Sequence, residues 1–175
     1  MIQFFIIFVF LITSAAYPVF AAEDVYQDPK DFIAESFQGS VPPEKILSID
    51  PDLKEKISKI MGTHYKLGNT AYWAQEGRTV WILEDIGKYE PITVGIVVSP
   101  DATLERIKVL IYRESHGWEV KHAFFTRQFE GSGLKRERKL DQSIDGIAGA
   151  TLSVKALKRL GTLALLLHSL SLIHI

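Results

Sequence analysis

Between residues 71 and 112 apolar and polar side chains alternate in the manner of strands half buried in a sheet. Ile92, Val94, Ile96 and Val98 fall on one face of one such segment. Ile107, Val109 and Ile111 fall on one face of another, from residue 104 to residue 112. Residues 71–74 and 79–84 form a third and a fourth, joined by Gln75-Glu76-Gly77-Arg78, a composition suited to a tight hairpin. Ser99-Pro100-Asp101-Ala102 marks the next turn. These connections are too short for helical crossovers, so consecutive antiparallel strands are expected.

The period changes on either side. Residues 28–37 read as a short helix, broken by Gln38-Gly39-Ser40-Val41-Pro42-Pro43. A second helix is expected from Pro51 through Met61, with Asp50 as N-cap, Pro51 in its first turn and Gly62 ending it. Leu53, Ile57 and Ile60 share its apolar face. Residues 118–129 show no clear period. From Leu152 to about Leu170 the pattern is helical and very apolar, the mark of a helix covering the sheet. The fold class is therefore α+β: a twisted antiparallel sheet, N-terminal helices, and a C-terminal helix directly after Thr151.

Residues 1–22 carry no charged side chain and contain the run Phe4-Phe5-Ile6-Ile7-Phe8-Val9-Phe10-Leu11-Ile12. Val19 and Ala21 stand where a signal peptidase reads small residues, and Glu23-Asp24 follow. No Lys or Arg precedes the run, so an uncleaved membrane anchor competes with a cleaved signal. Either way the folded part is expected outside the cytoplasm, in the periplasm or another extracytoplasmic space. The organisation is then a signal peptide over 1–21, a helical lead-in over 22–70 and the main domain over 71–175.

The 175 residues include 20 Lys and Arg against 21 Asp and Glu, so bulk charge makes no case for nucleic acid. One local exception is Lys135-Arg136-Glu137-Arg138-Lys139, which reads as a solvated loop or a docking patch. The chain has no cysteine, which removes thiolate iron–sulfur ligation and c-type haem attachment. The five histidines show no His-Glu-x-x-His spacing, and no zinc site is expected. Nucleophile-elbow, P-loop and dinucleotide motifs are also missing from the sequence.

The remaining chemistry lies in Asp145-Gly146-Ile147-Ala148-Gly149-Ala150-Thr151. Small residues let a backbone approach a bulky ligand, and they lead into a helix N-terminus whose free N–H groups favour a phosphate. The plain alternative is an Asp/Gly turn capped by Thr151. The heptapeptide resembles the Asp-x-x-(Ser/Ala)-Gly-Ala-Thr flavinylation motif of the FMN-binding domain family. That family includes the flavinylated domains of the sodium-pumping NADH:quinone oxidoreductase C subunit and the Rnf complex G subunit.

Two upstream segments are similar to the same family. Glu114-Ser115-His116-Gly117 resembles its Glu-Thr-Pro-Gly segment, with Ser115 keeping the hydroxyl and His116 replacing proline. Phe125-Thr126-Arg127-Gln128-Phe129-Glu130-Gly131 resembles its Phe-x-x-Gln-Phe-x-Gly segment. The likeness spans about residues 72–167.

The resemblance implies FMN joined to Thr151 by a phosphoester. Asp145, Gly149, Ala150 and Ser153 would stand around the anchor, with Glu114, Ser115, Gly117 and Trp118 lining the site. No residue is assigned a catalytic role. The implied partners are a separate flavin transferase, using FAD and a divalent metal with Asp145 in its recognition motif, and a membrane or periplasmic redox protein such as a cytochrome or ferric-reductase-like protein. An exported electron carrier is the reading this favours. A small FMN-dependent reductase domain of a membrane complex and a non-redox binding module of the same fold are the alternatives.

Overall fold

The structure, a computed structural model, describes residues 23–136 and 139–172. The expected signal or anchor, and Glu137 and Arg138 of the basic cluster, lie outside the described residues. Six antiparallel strands form one sheet in the order β1-β6-β5-β4-β3-β2. Their ranges are β1 Asp24–Val25, β2 Glu44–Leu47, β3 Thr70–Gln75, β4 Arg78–Ile86, β5 Pro91–Val98 and β6 Leu104–Tyr112. The expected antiparallel sheet and α+β class are what the chain forms.

The hairpin between β3 and β4 turns on Glu76 and Gly77, both at positive φ (51° and 79°), with Gln75 paired to Arg78. That is the turn whose twist matches the flanking strands. The helices begin as their sequences require. Asp28 accepts from the Lys30 N–H to cap α1 (Pro29–Ser36), and Asp50 accepts from the Leu53 N–H to cap α2 (Pro51–Met61), each with proline next. Gly62, at φ 94°, follows the end of α2.

Both faces of the sheet are covered. On one face α4 (Thr151–Ser171) packs with α2 over Trp81, Val94, Ile96 and Val109. On the other, α1 sets Phe32, Ile33 and Phe37 against Val80, Val97 and Leu110. β5 is thus buried from Ile92 through Val98 on alternate and intervening positions alike. Gly95 makes room for α1: a Cβ there would lie 2.5 Å from the Phe32 ring.

Segment 22–70, expected as a helical lead-in, also supplies the two edge strands, β1 beside β6 and β2 beside β3. The residues between β6 and α4 form a 3-10 turn (Trp118–Lys121), a four-residue helix α3 (Ala123–Thr126), a second 3-10 turn (Arg127–Phe129) and a small hairpin of β7 (Leu134–Lys135) and β8 (Lys139–Leu140). α4 is buried along nearly its whole length and belongs to the core. Among the described residues, no helix is long and apolar enough to cross a membrane.

Candidate functional site

The heptapeptide runs as a loop straight into α4. Thr151 is the first residue of that helix, and its side chain is exposed. Ala150 holds the N-cap position and supplies no side-chain hydrogen bond, which leaves the helix N-terminus without a side-chain cap. Gly149 adopts φ 83°, a left-handed conformation that favours glycine, and a Cβ there would meet no atom within 4 Å. Open space thus adjoins Gly149, two residues before the exposed Thr151 that begins a 21-residue helix at its positive end.

Three tethers fix this loop. The Asp145 N–H donates to Gln128 Oε1 at 2.7 Å. Lys158 Nζ donates to the Ile144 carbonyl at 2.6 Å, and the Ile144 side chain is buried. The Ala150 N–H closes a turn on the Ile147 carbonyl at 3.0 Å. Gln128 is itself held by its neighbours Phe125 and Phe129, buried rings packed edge to face at 5.5 Å. The aromatic residues of that segment are therefore core, and the glutamine between them reaches the motif. The Asp145 side chain is exposed.

The segment after β6 comes to the same place. Gly117, at φ 84°, lies against the start of α4: a Cβ on it would lie 2.8 Å from Ser153 Oγ, 3.0 Å from Tyr112 Oη and 3.4 Å from Ala150 Cα. Tyr112 Oη donates to the His116 carbonyl at 2.5 Å and lies 3.0 Å from Ser153 Oγ. A phenol has one proton, so Ser153 is the donor in the second bond. Burial pushes the Tyr112 phenol above its usual pKa, which keeps that proton in place at neutral pH. Ser153 is buried and committed to Tyr112, whereas Ser115 and His116 are exposed.

Glu114 points elsewhere. Its Oε1 accepts the backbone N–H groups of Lys88, Tyr89 (2.7 Å) and Glu90 (3.1 Å), closing the turn between β4 and β5. It makes no ion pair with Arg113, which instead binds Glu23 at 2.7 Å. Trp118 lies outside the core, 45% exposed, beside the glycine that touches Ala150. Lys121 Nζ sits 4.0 Å from the Tyr26 ring centre and 5.1 Å from that of Trp118. His122 meets Trp118 edge-on at 5.5 Å.

The two upstream segments and the threonine loop thus meet at one end of the sheet, the end where β6 finishes and α4 begins. Residues 87–165 match the FMN-binding domain. The match starts at the turn that Glu114 closes and ends within α4, so it takes in each segment just described. It supports a flavin-binding protein with FMN as the cofactor. No curated protein and no solved structure matches the chain.

The residues around Thr151 fit a phosphate there. The hydroxyl is exposed, the helix end is uncapped, and the space beside Gly149 is open. Three residues that sequence reasoning left out of the site also serve it: Tyr112, Gln128 and Lys158. Tyr112 had a signal, as the last residue of a strand leading into the Glu114 segment. Nothing in the sequence couples Lys158 to a carbonyl 14 positions earlier.

Proposed function

We propose that Thr151 carries FMN through a phosphoester bond and that the protein is an exported electron carrier. The observation that supports the reading is the exposed Thr151 hydroxyl at an uncapped first turn, with Gly149 leaving the space beside it open. A flavin transferase would act on this loop as its substrate. The Thr151 Oγ bonds to the phosphorus on the FMN side of FAD as the bond to AMP breaks. AMP leaves with the bridging oxygen, and the hydroxyl proton passes to it or to solvent.

The helix N-terminus then orients the bound phosphate, a favourable interaction of about 0.3–2 kcal/mol that matters little beside a covalent bond. A tether has a physical purpose outside the cytoplasm, where free FMN is expected to be scarce and a reversible site would empty. The flavin supplies one- and two-electron redox chemistry when bound. Trp118 offers it an exposed aromatic face, and Lys121, steadied between two rings, offers a nearby positive charge. Among the described residues no base is hydrogen-bonded to the Thr151 hydroxyl, which favours a carrier over a reductase domain acting directly on substrate. Its partners would be a membrane or periplasmic redox protein, such as a cytochrome or a ferric-reductase-like protein.

The test is mass spectrometry of the Thr151 peptide from protein coexpressed with a flavin transferase. An adduct of one FMN less water is expected, and Thr151→Ala abolishes it while the fold persists. A fluorescent flavin band that survives denaturing electrophoresis of Thr151→Ala overturns the assignment.

A further inference from the structure

A cleft between α2, β8 and α4 lies beside the anchor loop and shares with it only the Lys158–Ile144 tether; Thr151 does not line it. Its volume of about 360 Å³ is that of a small-molecule site. Ile60, Leu140 and Ile144 give it apolar walls. Four cations, Lys139, Lys155, Lys158 and Arg159, line it as well, and among the described residues no carboxylate does.

Two of those cations are already engaged. Arg159 binds Asp85 at 2.6–2.7 Å, and Lys158 binds the Ile144 carbonyl. Lys155 is exposed and forms no ion pair among the described residues. The Thr162 hydroxyl is spent on the Lys158 carbonyl, which leaves Gln142 and Ser143 as the uncharged donors facing the space. Gathering like charges around apolar walls is unfavourable in the empty cleft, and an anion with an apolar body relieves both terms at once.

We propose that this cleft is a second ligand site, which takes a small anion with a planar apolar body, the chemistry of an aromatic carboxylate. The ring would lie on Ile60, Leu140 and Ile144, with the acid group toward Lys139 and Lys155. An inorganic anion leaves the apolar walls wet, and a neutral ring leaves the cations unpaired. The volume is too small for a two-chain lipid. Lys155 stands one helical turn beyond Thr151, so the ligand binds beside the anchor, yet its binding does not depend on whether Thr151 carries a flavin.

Isothermal titration of the full chain with 2-naphthoate tests the site. Binding is expected with equal affinity in Thr151→Ala and in the flavinylated protein. Neutral 2-naphthol and inorganic phosphate should each bind at least about tenfold more weakly, a difference of one interaction of roughly 1.4 kcal/mol. Lys155→Gln and Lys139→Gln should each weaken 2-naphthoate severalfold, and Lys45→Gln, on the far edge strand, should leave it unchanged. The proposal is overturned by no detectable binding, by equal affinity for 2-naphthol, or by indifference to both cleft lysines. Binding to Thr151→Ala but not to flavinylated protein also overturns it, because the cleft would then be the bed of the tethered flavin.

Discussion

Gly117 and Ser153 stand too close for any side chain to come between them. A Cβ on Gly117 would lie 2.8 Å from the serine Oγ, and the glycine already sits at φ 84°. This contact joins the end of β6 to the first turn of α4, and it carries the His116 carbonyl to within 2.5 Å of Tyr112 Oη. Two segments 36 positions apart in the chain are thereby held as one site.

Gly117→Ala is expected to destabilise the fold by about 1–3 kcal/mol, from the left-handed backbone together with the overlap. It should also slow flavinylation, because Ala150 must move with Ser153. Gly149→Ala meets only the backbone term, about 1–2 kcal/mol, since nothing lies within 4 Å of its Cβ. Denaturant melts of the two variants make the comparison, and equal losses would remove the steric argument for Gly117.

Glu114 gives a second prediction. Three N–H groups of the turn between β4 and β5 converge on its Oε1. Glu114→Ala leaves them to water and is expected to cost about 1–3 kcal/mol, the range of hydrogen bonds to a charged group that is partly exposed. Amide exchange at Lys88, Tyr89 and Glu90 should quicken in the variant, while exchange at the core of β5 stays slow. Unchanged exchange at those three amides would return Glu114 to a surface role.

The extent to which the site was legible differs from residue to residue. The alternation of Ile92 to Val98 and of Ile107 to Ile111 placed β5 and β6, and Asp50-Pro51 with Gly62 placed α2. The same alternation hid the second layer, because Val80, Val97 and Leu110 are buried under α1, and α1 carries no mark of the face it covers. β2 escaped notice because a four-residue edge strand between Pro43 and Asp50 leaves only Leu47 buried. Thr151 and Gly117 were readable as motif positions. Their proximity was not, since it depends on where β6 ends relative to α4, and the role of Glu114 at a turn 24–26 residues upstream has no local signal.

His168 carries a pH prediction. It is fully buried, its Nδ1 lies 2.7 Å from Thr79 Oγ1, and Nε2 has no partner among the described residues. Trp81 Nε1 donates to the same threonine oxygen at 2.8 Å. Burial lowers the His168 pKa below its ordinary 6.5. The folded state therefore binds fewer protons than the unfolded state once pH falls below 6.5. Stability is fully present above that value and declines beneath it, by at most about 1.4 kcal/mol per pH unit. Urea midpoints at pH 7.5 and 5.5 should differ in the native protein, and the difference should shrink in His168→Gln. A variant as pH-sensitive as the native chain would assign the effect to other groups.

The pair that ties β4 to α4 gives the last prediction. Arg159 Nε and a terminal guanidinium nitrogen reach Asp85 Oδ2 at 2.7 and 2.6 Å. Asp85 is only 8% exposed, and burial pushes its pKa up while Arg159 pulls it down. Arg159→Met strands the carboxyl, which then takes up a proton more readily. Because Arg159 itself is a third exposed and partly screened, a loss of about 1–3 kcal/mol is expected. Asp85→Asn in the same chain removes the stranded charge, so Asp85→Asn with Arg159→Met should be more stable than Arg159→Met alone. Fluorescence melts of the four proteins in this cycle decide it. If the double variant is no more stable than Arg159→Met, the loss came from packing of the long arginine stem and not from the buried charge.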